Sequence, residues 1–343
     1  YEITWSIVGS EMCIRDRISS SHDDDMDTLE KVLGVANDCK DDCVLPLVVY
    51  NLPNRDCAAT SSNGELTELS EYQDYLNKIT TRLDSYQDAN VVFILEPDAI
   101  ANIGKPKGFA DDPRCDDARG KYMKGLRLAA ATLQKYGPVY LEVGHSNWTG
   151  FEENRDGLLH NIQDATDISD DVGMNVGALH EYIRGFATNT SNYQSLGTAA
   201  PEDAFDGGTL RKHCCGTDDN CSGGILNPVP EGCESACTET VLKGWNTIYN
   251  ESNFLRVLDL LSKNKITYNT VDGRPRGIVD VSRSGFDQVF GSNCSQWCNV
   301  PDGRISTYPP NDIRFIDDAN LDDTLDAAVW IKPPGEGLSL IHI

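Results

Sequence analysis

Two aspartates stand where chemistry is easiest to build. Asp56 and Asp98 each follow a short apolar run and a proline. Val48-Val49-Tyr50-Asn51-Leu52-Pro53 leads to Asn54-Arg55-Asp56-Cys57, and Val91-Val92-Phe93-Ile94-Leu95-Glu96-Pro97 leads to Asp98. Each run reads as a buried strand that stops at a proline turn and presents a carboxylate. Parallel α/β proteins build their active sites at such strand ends. Two carboxylates in one cleft are the minimum equipment for cutting a glycosidic bond. A carboxyl at the end of an all-apolar strand is partly desolvated, which favours its protonated form and suits Asp98 to general-acid work. Arg55 would hold Asp56 ionised or bind substrate hydroxyls, and a charged Asp56 would raise the proton affinity of Asp98. The structural alternatives are a helix N-cap for Asp98 and an Arg–Asp turn pair for Asp56.

The elements that must position these carboxylates are legible in the hydrophobic pattern. Residues 44–51, 91–96, 139–143, 278–281 and 327–331 read as strands, with weaker candidates at 174–179 and 183–188. Between the first two, Leu69, Tyr72, Leu76, Ile79 and Leu83 recur every three or four residues, as one helix face requires, over 66–83. Tyr122, Leu126, Ala129 and Leu133 do the same over 119–136, where Gly137-Pro138 ends the helix. Strands and helices in alternation predict an α/β fold with a parallel sheet, and polar signatures repeated past the strands favour a barrel.

Bulk properties narrow the function classes. The chain has 343 residues, long for an ordinary domain and normal for an α/β barrel. It carries 54 acidic against 29 basic residues, a formal charge of -25, which repels nucleic acid and anionic membrane but not a neutral polysaccharide. No apolar run approaches the ~20 residues a membrane helix needs. Twelve cysteines point to an oxidising compartment. Zinc is the rival reading, disfavoured because the crowded Cys214, Cys215, Cys221, Cys233 and Cys237 lack paired C-x-x-C spacing. Residues 198–238 read as a disulfide-stapled insertion within one domain spanning 23–337. The ends, residues 1–22 and 338–343, read as non-native, because 6–17 and 338–343 fit no element.

Residues 50–65 (YNLPNRDCAATSSNGE) and 94–102 (ILEPDAIAN) together resemble the two signature segments of glycoside hydrolase family 6, the cellobiohydrolases and endoglucanases. The likeness continues in order through 140–150 (YLEVGHSNWTG), 184–193 (RGFATNTSNY), 280–285 (DVSRSG), 297–300 (WCNV) and 330–336 (WIKPPGE). It implies a distorted, incomplete TIM-like parallel β/α barrel and an inverting, cofactor-free, metal-free hydrolase of β-1,4-glucan. By the same resemblance Asp98 would be the general acid, and Asp56 would tune it and relay the proton of the attacking water. Tyr50 would press on the distorted sugar, and Ser62 would hold the water or cover the substrate. His145, Trp148, Asn189 and Trp297 would bind neighbouring sugars, and Lys332 and Glu336 would hydrogen-bond hydroxyls. Sugar rings offer apolar C–H faces that aromatic side chains cover well. Taken alone, each Trp or His reads as core packing, and Lys332–Glu336 as a solvated pair.

Glu142 stands in the substrate site where the family usually has Asp, and Leu338 stands where it often has a further Asp. The resemblance also implies a Cys57–Cys115 disulfide, and leaves Cys298 free or paired with Cys294. The expectation is a secreted, monomeric cellulase acting on cellulose or its oligosaccharides. The rival readings are a glucan-binding protein without catalysis and a metal-stabilised structural protein built on the cysteine-rich block.

Overall fold

The computed structural model describes residues 17–18, 20–40, 43–57, 64–103, 113–149, 152–191, 266–282 and 325–331. Its strands are β1 (Arg17–Ile18), β2 (Leu45–Val49), β3 (Val91–Leu95), β4 (Val139–Glu142), β5 (Gly185–Thr188), β6 (Arg276–Asp280) and β7 (Leu325–Val329). Neighbours pair in parallel, and spatial order follows chain order from β1 to β7. The near-continuous apolar composition of β2 and β3 is what burial on both faces demands.

Period-2 alternation sorts the strand residues into two clusters. Leu47, Val49, Phe93, Leu95, Val139 and Leu141 face the helices. Val48, Tyr50, Val92, Ile94, Tyr140, Ala187, Ile278 and Val329 form a second, smaller cluster on the other face. That second face is concave. Tyr140 on β4 donates a hydrogen bond to Asp326 on β7, although β5 and β6 lie between them. Arg184 clasps the same carboxylate through two nitrogens, at 2.5 and 3.0 Å. The sheet therefore curls into an incomplete parallel barrel, as the sequence predicts.

The helices cover the convex face. α1 (Asp23–Cys39) opens on three aspartates, which suit the positive end of its dipole, and buries Met26, Leu29, Leu33 and Ala36. α2 (Leu69–Leu83) starts on a Glu68–Glu71 capping box and buries the predicted Tyr72, Leu76, Ile79 and Leu83. The short α3 (Ala99–Asn102) follows β3, and α4 (Pro113–Leu133) crosses back to β4. Next come α5 (Ser146–Thr149), α6 (Glu152–Gln163) and α7 (Ser169–Val172). No described helix is long and apolar enough to cross a membrane.

Two expectations change. Residues 174–179 form no strand, because their carbonyls have another partner. The buried Arg127 guanidinium donates to Val176 O at 2.7 Å, Gly177 O at 2.7 Å and Thr166 O at 2.8 Å. Arg17, inside the stretch expected to fit no element, pairs with Val48 and begins the sheet. Its neighbour Ile18 is buried and accepts hydrogen bonds from Tyr75 Oη and the Tyr50 amide. Cys39 and Cys43 form a disulfide, and Cys57 is disulfide-bonded too. The side chain of Cys115, and the block 198–238, lie outside the described residues.

Candidate active site

Among the described residues, polar burial concentrates at one end of the sheet. Asn51, Glu96, Glu142, His145, Thr188, Asn189, Thr190, Ser191, Asp280 and Ser282 are all buried, and all follow or end a strand on its C-terminal side. Left-handed backbone gathers there as well: Asn54, Asp56, Glu96, Asp98 and Asn189 have φ of 56°, 56°, 47°, 68° and 62°. Such conformations cost a non-glycine residue of order 1–3 kcal/mol and cluster at functional sites. The open groove of about 370 Å³ lined by Tyr136, Pro138, Tyr182, Arg184 and Asn269 lies at the opposite end, where β4 and β5 begin.

β2 and β3 pair in register from Leu45↔Val91 to Val49↔Leu95, so the segments bearing Asp56 and Asp98 leave the sheet side by side. Both aspartates are half-buried and keep access to solvent. Asp98 occupies the N-cap position of α3, yet its side chain makes no capping hydrogen bond. Capping does not account for the residue. Its backbone amide donates to Glu142 Oε2 at 2.7 Å.

Glu142 is fully buried. Burial pushes its carboxyl well above the usual range, and the nearby charge of Asp98 pushes it further. The Asp98 and Gly144 amides and the Thr190 hydroxyl pull the other way. Two carboxyls this close favour sharing one proton. Glu142, expected among the substrate contacts, has no exposed surface, and its Oε2 accepts the Asp98 amide.

Tyr50 is only 4% exposed, and Arg55 covers it. The guanidinium carbon sits 4.4 Å from the ring centroid, and Arg55 donates to the Tyr50 carbonyl. Arg55 thus engages Tyr50 as well as bordering Asp56, and covers one face of the Tyr50 ring. Burial pushes the Tyr122 phenol up, against the pull of a backbone hydrogen bond at Cys57, and the charges of Tyr50, Glu96 and Asp56 add to the rise. Tyr122 donates to the Asn54 carbonyl at 2.8 Å, fixing the turn before Asp56.

After β4, Gly144 turns the chain with φ of 77°, and a Cβ there would meet Trp148 at 3.2 Å and Ala101 at 3.3 Å. The turn sets the His145 ring 6.0 Å from that of Trp148. His145 is buried and Trp148 half-buried. Asn189, fully buried, donates its amide to Gly144 O at 3.3 Å. His145 and Asn189 are thus buried, whereas Trp148, and Trp330 at the end of β7, keep part of their surface exposed. Ser62, Trp297, Lys332 and Glu336 lie outside the described residues.

The sequence model of glycosyl hydrolases family 6 matches residues 18–212 and 230–338. The chain belongs to this family. Within family 6 it is 26% identical over 299 residues to Exoglucanase 3 of Agaricus bisporus, covering 85% of this chain and 54% of that protein. It thus spans about half the length of the curated relatives it matches. Among solved structures, the CcCel6A catalytic domain complexed with p-nitrophenyl β-D-cellotrioside superposes with a TM-score of 0.65 at 25% identity, over 95% of this chain and 75% of that one. Endoglucanase CEL6B of Humicola insolens gives 0.62 at 26%, over 94% and 76%. The incomplete barrel is a family 6 fold.

Glu96, Thr188, Asp280 and Ser282 were not singled out from sequence as site residues. Each is a polar residue at the end of a strand, buried in the same layer. Asp280 Oδ1 accepts the Ser282 amide at 2.8 Å, which closes the turn after β6. A charged residue ending an otherwise apolar strand, as in Val-Val-Phe-Ile-Leu-Glu, is the signal that finds Glu96.

Proposed function

We propose that this chain hydrolyses β-1,4-glucosidic bonds of cellulose or related glucans with inversion, and that Asp98 is the general acid. The observation that carries the reading is the placement of Asp98. It is half-buried in left-handed backbone at the β3 exit, free of a capping role, with its amide on a buried carboxyl. An acid must hold its proton until the leaving oxygen needs it, and a carboxyl set against a second, buried one can draw on the proton that such a pair shares.

In the reaction Asp98 transfers its proton to the glycosidic oxygen as the bond to the anomeric carbon breaks. A water attacks that carbon from the opposite face of the ring, and its proton leaves by way of Asp56. Inversion leaves room for that water, with the opposed carboxyls ~6.5–9.5 Å apart. Trp148 covers a neighbouring sugar face; Ser62, Trp297, Lys332 and Glu336 are proposed to complete the substrate contacts, and Cys57–Cys115 to tie the Asp56 turn to α4. The relatives include both an exoglucanase and an endoglucanase by name, so the proposal covers glucan cleavage and not its mode. Two oxidised cysteine sites support secretion into an oxidising medium.

The test is the first-formed product. Cellotetraose incubated with the chain should release α-anomeric reducing ends, read by proton NMR before mutarotation. Initial β-anomer would overturn inversion, and binding without release of reducing ends would favour a glucan-binding protein.

A further inference from the structure

Glu96 lies next to the proposed acid yet has no exposed surface with which to touch a substrate. Its hydrogen bonds reach two places. The Glu96 amide donates to Val49 O at 2.8 Å, and its carbonyl accepts the Ala99 amide at 3.1 Å, closing the Glu96-Pro97-Asp98-Ala99 turn that presents Asp98. Its side chain turns to the other strand. Oε1 accepts the Asn51 amide at 3.0 Å and the Tyr72 hydroxyl at 2.7 Å, and Oε2 accepts the Leu52 amide at 3.2 Å. Asn51 and Leu52 begin the segment that leads to Asp56.

We propose that Glu96 is a positioning residue that fixes Asp56 relative to Asp98, its backbone holding one turn and its carboxyl the other. The inference rests on the reading of Asp98 and Asp56 above. Stability alone is a poor account of the residue, because a buried carboxyl is costly and an apolar side chain of similar volume would serve a core better. Here burial raises Glu96 to about 7, against the pull of the Asn51 amide, the Tyr72 hydroxyl, the Leu52 amide and the Arg55 charge. What an apolar residue cannot do is accept two consecutive backbone amides and a phenol at once. The left-handed φ of 47° aims the carboxyl at them. Among the described residues neither Asn51 nor Leu52 has a ladder partner beyond the end of β2, so Glu96 supplies acceptors of the kind a longer strand would have supplied.

The experiment compares Glu96→Gln, Tyr72→Phe and Asp98→Asn in the full chain, with cellotetraose as substrate. Glutamine keeps the volume but sets an NH₂ against one of the amides. Tyr72→Phe keeps the ring and removes one donor, and serves as the folding-safe variant. A misplacement of about 1 Å in a catalytic constellation costs up to ~100-fold. Glu96→Gln should therefore lose ~10- to ~100-fold in kcat, with KM and calorimetric affinity for cellotetraose changed less than ~3-fold, and its acid limb displaced in the pH–rate profile. Tyr72→Phe should move the same quantities in the same direction by a smaller factor. A purely structural role would lower the melting temperature and leave kcat per folded molecule and the pH profile unchanged; that result in either variant, with Asp98→Asn inactive, overturns this inference alone. Normal turnover by Asp98→Asn, or an inactive unaltered chain, overturns the functional reading and this inference with it.

Discussion

Glu96 makes a prediction about stability that needs no substrate. In the folded chain burial holds its carboxyl near 7, against 4.5 for the ordinary side chain. Between those values the folded state binds a proton that the unfolded state has released. Stability therefore falls as pH rises through this window. The contribution is fully present below about 4.5 and lost once pH passes about 7. At about 1.4 kcal/mol per pH unit, a gap of about 2.5 units sets the loss at ~3 kcal/mol. Glu142 is shifted in the same direction and extends the decline to higher pH. Glu65, Asp164 and Asp272 are shifted down, so their contributions are lost only as pH falls below the ordinary carboxylate range. Urea unfolding at pH 4.5, 5.5, 6.5 and 7.5 (roughly the window that linkage defines), with disulfides intact, reads the slope directly. The unaltered chain should be most stable at the acid end, and Glu96→Gln should flatten the decline by ~3 kcal/mol, whatever it does to absolute stability. An unchanged slope in Glu96→Gln, or stability that rises across the window, would refute the reasoning.

Two further substitutions probe the frame. Gly144→Ala forces a side chain into left-handed backbone against Trp148 and Ala101. It should cost ~1–3 kcal/mol and weaken cello-oligosaccharide binding through Trp148; calorimetry showing full affinity would separate Trp148 from the substrate. Arg127→Met keeps an apolar stem but strands the carbonyls of Thr166, Val176 and Gly177. The loss should be at least ~3 kcal/mol, and a urea midpoint unmoved from that of the unaltered chain would contradict it.

Much of the frame was legible because period and burial speak the same language. The α2 stripe from Tyr72 to Leu83 and the all-apolar β3 emerge with boundaries moved by a few residues. α1 was missed although Met26, Leu29, Leu33 and Ala36 carry helical spacing, because the segment before it fits no element by pattern. Residues 174–179 look like a strand until Arg127, some fifty positions earlier, claims their carbonyls. The site divides in the same way. Asp98 stood out by position, with an N-cap as the alternative, and only the structure shows that its side chain makes no capping hydrogen bond. Burial of Tyr50 and of His145 was among the sequence readings, whereas the complete burial of Glu142 and Asn189 was not. Which residues touch a ligand and which support those that do depends on left-handed turns and on packing between strands far apart in sequence. The glutamate of Glu-Pro-Asp was hidden for that reason: its partners Asn51, Leu52 and Tyr72 belong to another strand exit and another helix.

The central claim, that Asp98 donates the proton to the departing sugar, is tested most directly by varying the leaving group. Turnover of Asp98→Asn relative to the unaltered chain should be measured on cellotetraose and on an aryl cellobioside whose phenol leaves without protonation. The account predicts a loss of at least ~10²-fold on cellotetraose, the scale of general acid catalysis, and a much smaller loss on the aryl glycoside. Equal losses on both substrates, or near-normal turnover of cellotetraose, would place the acid elsewhere.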